Sequence, residues 1–288
     1  MAITASAEPS AETAGRAAAP ALRPWVDGYV GYRIVGFPPG LHRGLPSRHL
    51  TFIVSLGEVI DVVRQTDPRD APRRYGFVVG GLQTTTALIA HHGNQEGIAV
   101  ELTPLGSRAL LGLPAGALWN TSIEADEVMG RVALELQERL HDVTGWEARF
   151  EVCDAVLTRL LRPDVRVPAE LRRAWELVVG SAGTVAIADV ADEVGWSRRH
   201  LAHRFRTEFG LSPKAAARVV RFERACRLLR APTPPPLAEL AAVCGYYDQP
   251  HLNRDFAELA GCSPLEWLAS DLPSVQDPDG GDAARCGA

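Results

Sequence analysis

The chain has 288 residues, 46% hydrophobic and 23% charged, with a formal net charge of -5. At roughly 100–200 residues per domain this predicts two domains with apolar material for a core in each. A charge-driven disordered chain and a uniformly basic nucleic-acid coat are both excluded. No stretch approaches the roughly 18 uninterrupted apolar residues of a membrane span. Met1 to Pro20 carries Glu8 and Glu12 and no apolar run, so neither anchor nor export signal is expected. The five cysteines, Cys153, Cys226, Cys244, Cys262 and Cys286, are scattered without CxxC spacing and read as reduced thiols of a cytoplasmic protein.

In chain order, residues 1–22 are rich in Ala, Ser, Thr and Pro without periodicity and are expected to form a disordered tail. From Tyr29 to Leu113, β-type runs such as Tyr32 to Phe37, His49 to Val54 and Gly76 to Gly80 alternate with Gly, Pro and Asp turns. That spacing predicts a small sandwich or barrel. His92-Gly93-Asn94, between the runs Thr84 to His91 and Gly97 to Leu102, is expected to be a hairpin turn. After Ile123 the period changes: Val128, Val132, Leu136 and Leu140, then Phe150, Cys153, Leu157 and Leu160, mark two amphipathic helices. These helices either dimerise or cover the barrel, and Cys153 on their apolar stripe is a core residue. Pro163 and Pro168 bracket the expected domain boundary.

The last hundred residues contain a repeat. Ile187 to Gly195 aligns with Leu237 to Gly245 at an offset of fifty. After one extra residue, His200-Leu201, Phe205, Gly210 and Ser212-Pro213 align with His251-Leu252, Phe256, Gly261 and Ser263-Pro264. That makes nine identities over about 27 positions. Each copy predicts a short helix ended by Gly195 or Gly245, then a second helix capped by Ser197 or Asp248. Leu201 and Phe205, or Leu252 and Phe256, face inward at i, i+4. Arg198, Arg199, Ala202, His203 and Arg206 are left free to face outward in the first copy, and Gln249, Asn253 and Arg254 in the second. Arg, Asn and Gln can make paired hydrogen bonds to guanine or adenine edges. Val219, Phe222, Cys226 and Leu229 predict one long helix over Pro213 to Ala231 that joins the copies.

Charge is concentrated in the same place. Ser197 to Arg230 holds Arg198, Arg199, Arg204, Arg206, Lys214, Arg218, Arg221, Arg224, Arg227 and Arg230 against only Glu208 and Glu223. Lys214 is the only lysine of the chain, a sign of GC-rich coding bias, so arginine in place of lysine carries no functional meaning.

The run Ser197-Arg198-Arg199-His200-Leu201, Arg204-Phe205, Gly210-Leu211-Ser212-Pro213, Gly245-Tyr246, His251-Leu252, Phe256 and Ser263-Pro264 resembles the DNA-binding domain of the AraC/XylS family of bacterial transcriptional regulators. The resemblance implies two helix-turn-helix units whose recognition helices, about Ser197 to Phe209 and Gln249 to Leu259, enter successive major-groove segments of double-stranded DNA. It places the base-reading positions on Arg199, Ala202 and His203, and on Gln249, Asn253 and Arg254. Ala202 departs from the family's usual polar residue. Activation and contact with RNA polymerase are the family default. The first half is similar to the family's β-rich, cupin-like sensor domains, on Pro46 to Val54 and Leu102 to Pro114. This implies effector binding or dimerisation and names no ligand.

The expected fold is therefore α+β. A tail, 1–22, precedes a β-rich cupin-like sensor or dimerisation domain with two helices, 23–163. An all-α DNA-binding domain, 168–270, and a second disordered tail, 271–288, follow. The DNA-binding residues are Arg198, Arg199, His203, Arg206, Gln249, Asn253 and Arg254. His200 and His251 share a structural role. No nucleophile motif, phosphate loop or closely spaced ligand set is present, so no catalytic residue, cofactor or metal is expected. His42, His49, His91, His92 and Glu101 are the only candidates for a barrel-mouth site. The competing classes are a cupin-like metal-dependent enzyme fused to a DNA-targeting domain, and an adaptor without DNA binding. The whole 168–270 region, with thirteen basic and twelve acidic residues, leaves room for the latter.

Overall fold

Residues 9–162, 164–165 and 167–269 are described by the computed structural model. The N-terminal part holds strands β1 (Ser10–Ala17), β2 (Val26–Val35), β3 (Gly40–Gly44), β4 (Thr51–Ser55), β5 (Ile60–Arg64), β6 (Arg73–Tyr75), β7 (Phe77–Gly80), β8 (Ala87–His91), β9 (Gln95–Leu102) and β10 (Ser122–Glu124). They form a sheet in the order β1-β2-β9-β4-β7-β10 and another in the order β3-β8-β5-β6.

Period-two alternation divides the side chains of the larger sheet between two cores. Tyr29, Phe52, Val54, Phe77, Ile98 and Val100 pack with the helical residues Leu136, Leu140, Phe150 and Val156. Their neighbours Ile53 and Val78 turn the other way and pack with Ile60, Val62, Tyr75 and Ile89 of the smaller sheet. The helices α1 (Asp126–Met129), α2 (Arg131–Asp142) and α3 (Trp146–Leu160) thus cover the larger sheet. Trp146 lies so close on β2 that a Cβ at Gly31 would come 2.3 Å from its ring.

Two expectations need correction. The N-terminal tail does not extend to residue 22: residues 1–8 lie outside the described residues, but β1 pairs antiparallel with β2 from Ser10↔Val35 to Ala17↔Gly28. Small and polar side chains hid it, because both faces of this edge strand are largely exposed and no alternating apolar signal arises. It is held by ion pairs from Arg16 to Glu147 and Asp154 of α3, and Trp146 Nε1 donates to Glu12 at 2.6 Å. His92-Gly93-Asn94 is a turn but not a hairpin, since β8 pairs with β3 and β5 and β9 with β2 and β4. The chain changes sheets there. Residues 270–288, which include the whole of the second expected tail, lie outside the described residues.

The C-terminal part is helical: α4 (Ala169–Gly180), α5 (Ile187–Glu193), α6 (Arg198–Phe209), α7 (Pro213–Leu229), α8 (Leu237–Val243), α9 (Gln249–Leu259) and α10 (Pro264–Leu268). The fold is α+β, a β-rich half followed by helices, as the sequence predicts. The two halves share apolar packing. Leu110, Ala115 and Leu118 belong to one core with Trp175, Phe205 and Phe209, and Leu45 packs with Phe222 and Phe256. No helix among the described residues is long and apolar enough to cross a membrane.

Candidate nucleic-acid interface

The two repeats build the same object twice. Gly195 at φ +71° and Gly245 at φ +77° end α5 and α8 in the left-handed region that a side chain disfavours. Ser197 Oγ accepts from the His200 backbone N–H at 3.2 Å, and Asp248 Oδ1 from that of His251 at 2.8 Å, so each second helix starts on a side-chain cap. Pro250 sits in the first turn of α9, where its missing N–H costs nothing. Leu201, Phe205 and Phe209 bury one face of α6, and Leu252, Phe256 and Leu259 that of α9. The shared histidines have the shared structural role: His200 meets Trp196 edge-on with ring centroids 4.7 Å apart, and His251 meets Tyr246 likewise at 5.2 Å.

On α6, Arg198, Arg199, His203, Arg204 and Arg206 are exposed and Ala202 is half-buried. On α9, Arg254 is exposed while Gln249 and Asn253 are half-buried, and Asn253 Oδ1 is buried without a hydrogen-bond partner. Tyr247, just before the cap of α9, is 94% exposed. Every one of the seven candidate residues therefore lies on a recognition helix, with its second unit less open than the first. The helix α7 joins the units, capped by Ser212 Oγ, which accepts from Ala215 N–H at 3.2 Å.

The basic run is not uniformly outward. Arg218 and Arg221 of α7 are half-buried and engaged by the second unit: Arg218 Nε donates to Asp255 at 2.7 Å, and Arg221 lies over the Tyr246 ring at 5.4 Å. The two acids of the run have a function that subtraction of charges conceals. Glu208 accepts two hydrogen bonds from Arg108, at 2.6 and 2.9 Å, and Glu223 pairs with Arg48 at 3.2 Å. Both acids face the N-terminal half. Their isolation among ten bases was the available signal, but nothing local identifies partners 100 and 175 residues away.

Four of the five barrel-mouth candidates separate into two pairs, and the fifth, His92, is exposed. His42 and His91 have ring centroids 6.2 Å apart. Burial, with His91 nearby, pushes His42 down to about 4, and burial also lowers His91. His49 instead bonds Asp27 at 2.8 Å beside Glu101, whose carboxyl burial raises above its ordinary range. A cavity of about 40 Å³ lies there, lined by Val30, Ser47, His49, Thr51 and Glu101 among others. That is room for about one water molecule. Among the described residues, no three His, Cys, Asp or Glu side chains stand together as a metal site.

A model of a helix-turn-helix domain matches residues 190–270, which takes in both recognition helices and their connector. The arabinose operon regulatory protein of Escherichia coli (strain K12) is 34% identical over 91 residues. Residues 190–270 therefore match a helix-turn-helix domain and are similar to part of that regulator. The match covers 32% of this chain and 31% of that relative, so the chain spans about a third of the length of the curated relative it matches. Among solved structures, an apo variant of ToxT from Vibrio cholerae strain SCE256 superposes with a TM-score of 0.51 at 11% identity. It covers 88% of this chain and 98% of its own, and so shares the fold of both halves. The C-terminal domain of AraT, a response regulator from Geobacillus stearothermophilus, is 25% identical over 38% of this chain and 91% of its own, with a TM-score of 0.35.

Proposed function

We propose that the chain is a sequence-specific regulator of transcription acting in the cytoplasm, which binds double-stranded DNA through α6 and α9 of its AraC-type domain. The observation that carries this reading is the duplicated, capped recognition helix, with Arg199 exposed on the first copy and Arg254 on the second. Arg199, His203, Gln249, Asn253 and Arg254 read base edges. Arg198 and Arg206 hold phosphates, together with Arg204 and Lys214. The N-terminal β-rich half senses an effector or dimerises. By family resemblance the protein activates by contacting RNA polymerase. It acts as a regulator and not as an enzyme.

Sequencing of genomic fragments retained by the purified protein at about 150 mM salt, where non-specific binding is weak, tests the reading. An enriched two-part motif that disappears in the Arg199→Ala, Arg254→Ala double variant is expected. No enrichment, with cell extract added to supply an effector, contradicts it.

A further inference from the structure

The second recognition helix is attached to the connector through charge as well as apolar contact. Phe256 meets Phe222 of α7 edge-on at 4.9 Å. Beside this contact Arg218 Nε donates to Asp255 Oδ1 at 2.7 Å, and Arg218 Nη2 bonds Glu258, one turn further along α9. Asp255 is only 4% exposed, and its other oxygen, Oδ2, is buried with no hydrogen-bond partner. Arg218 is thus the cation that compensates a carboxylate removed from water. Three residues on, and therefore on the same side of α7, Arg221 Nη1 donates to the Gly245 carbonyl at 3.4 Å and its guanidinium lies over Tyr246. The helix and the turn of the second unit are both gripped from one face of the connector.

Asp255 follows Asn253 and Arg254 directly. Successive residues of an α-helix are set about 100° apart, so fixing Asp255 against α7 fixes the roll of α9 about its own axis and the direction of its base-reading positions. From these contacts we infer that Arg218 is a positioning residue for DNA recognition: through Asp255 and Glu258 it sets the angle at which α9 presents Gln249, Asn253 and Arg254, and it does not itself bind phosphate. The inference rests on the DNA-reading function proposed above. It also removes from the basic run a residue that charge alone would assign to the nucleic-acid backbone.

The test uses the full chain and the two-part site it selects. Discrimination against base changes in each half-site, and the slope of log affinity against log salt, are measured for wild type and Arg218→Ala. Discrimination in the half read by α9 is expected to fall about tenfold, as for loss of a base contact, with the other half and the salt slope unchanged. A slope reduced by about 0.9 with both halves still discriminated is the signature of a phosphate contact and overturns the inference.

Should Arg218→Ala lose both halves through unfolding, Arg218→Lys carries the same test, since a point charge satisfies one carboxylate in place of two. Amide hydrogen exchange without DNA separates this inference from the function it rests on. Faster exchange in Arg218→Ala over 249–259 but not 198–209 supports the clamp even if wild type selects no site, and unchanged exchange over 249–259 contradicts it.

Discussion

Arg108, on the short helical turn Ser107–Leu111, holds Glu208 at the end of the first recognition helix through two hydrogen bonds. The Glu208 side chain is 5% exposed and that of Arg108 30%. The β-rich half is therefore bonded to the base of the helix that carries Arg199 and His203. A ligand or partner that moves the turn has a direct mechanical path to α6, and such a path can act only through differential affinity for two arrangements. Arg48 and Glu223 make a similar connection to the middle of α7.

Removing Arg108 leaves a buried carboxylate without its cation. Arg108→Ala is expected to destabilise the protein by about 2–3 kcal/mol, below the range for a fully buried pair because the arginine is partly solvated. Glu208→Gln retains a hydrogen-bond acceptor and is expected to cost less. Denaturant midpoints of both single variants and the double variant measure the coupling; additive effects would mean that the pair contributes nothing.

The same junction depends on a glycine. A Cβ at Gly116 would meet the Thr207 carbonyl at 2.8 Å, the Gly210 nitrogen at 2.9 Å and the Arg206 carbonyl at 3.0 Å, all backbone atoms at the end of α6. Gly116→Ala is expected to push the turn Ala115–Leu118 off the helix at a cost of about 1–3 kcal/mol. Faster proteolysis between the halves, with each half still folded, is the expected readout.

Acid should weaken the β-rich half through His42. Its pKa lies near 4 in the folded protein, by burial and the proximity of His91, against about 6.5 when unfolded. Between these values the unfolded chain binds more protons, so stability present above pH 6.5 is lost as pH falls towards 4, on the order of 3 kcal/mol. His42→Gln is expected to flatten the stability profile in that interval.

Glu101 gives the opposite sign. Burial is the main cause that raises its carboxyl, opposed by His49. Its folded pKa is therefore above the ordinary value of 4.5, and ionisation through that interval costs stability as pH rises. Glu101→Gln is expected to stabilise the protein at pH 7. The gain should disappear below pH 4.5, where the wild-type carboxyl is protonated in both states; a gain independent of pH would contradict this account.

What could be read from the sequence was what short spacing encodes. The caps at Ser197 and Asp248, the positive-φ glycines and the inward Leu201/Phe205 and Leu252/Phe256 pairs all depend on neighbours within four residues, and all are found. Strand partners are set by contacts across the chain. Alternation located β8 and β9 correctly but could not show that the turn between them crosses from one sheet to the other. The edge strand β1 has no apolar rhythm, and its register depends on Arg16 and Glu12 reaching α3. For the candidate interface, sequence located the recognition helices but treated Arg218, Arg221, Glu208 and Glu223 only as charges. Each of them is engaged by another part of the fold.

The central claim is that α6 and α9, joined by one rigid connector, read one duplex in successive major grooves. Inserting about five base pairs, half a helical turn, between the two blocks of the selected site tests it most directly, because the insertion moves one block to the opposite face of the DNA. The account predicts that affinity falls to the non-specific level while each block's sequence is intact. Undiminished affinity for the inserted site would contradict it.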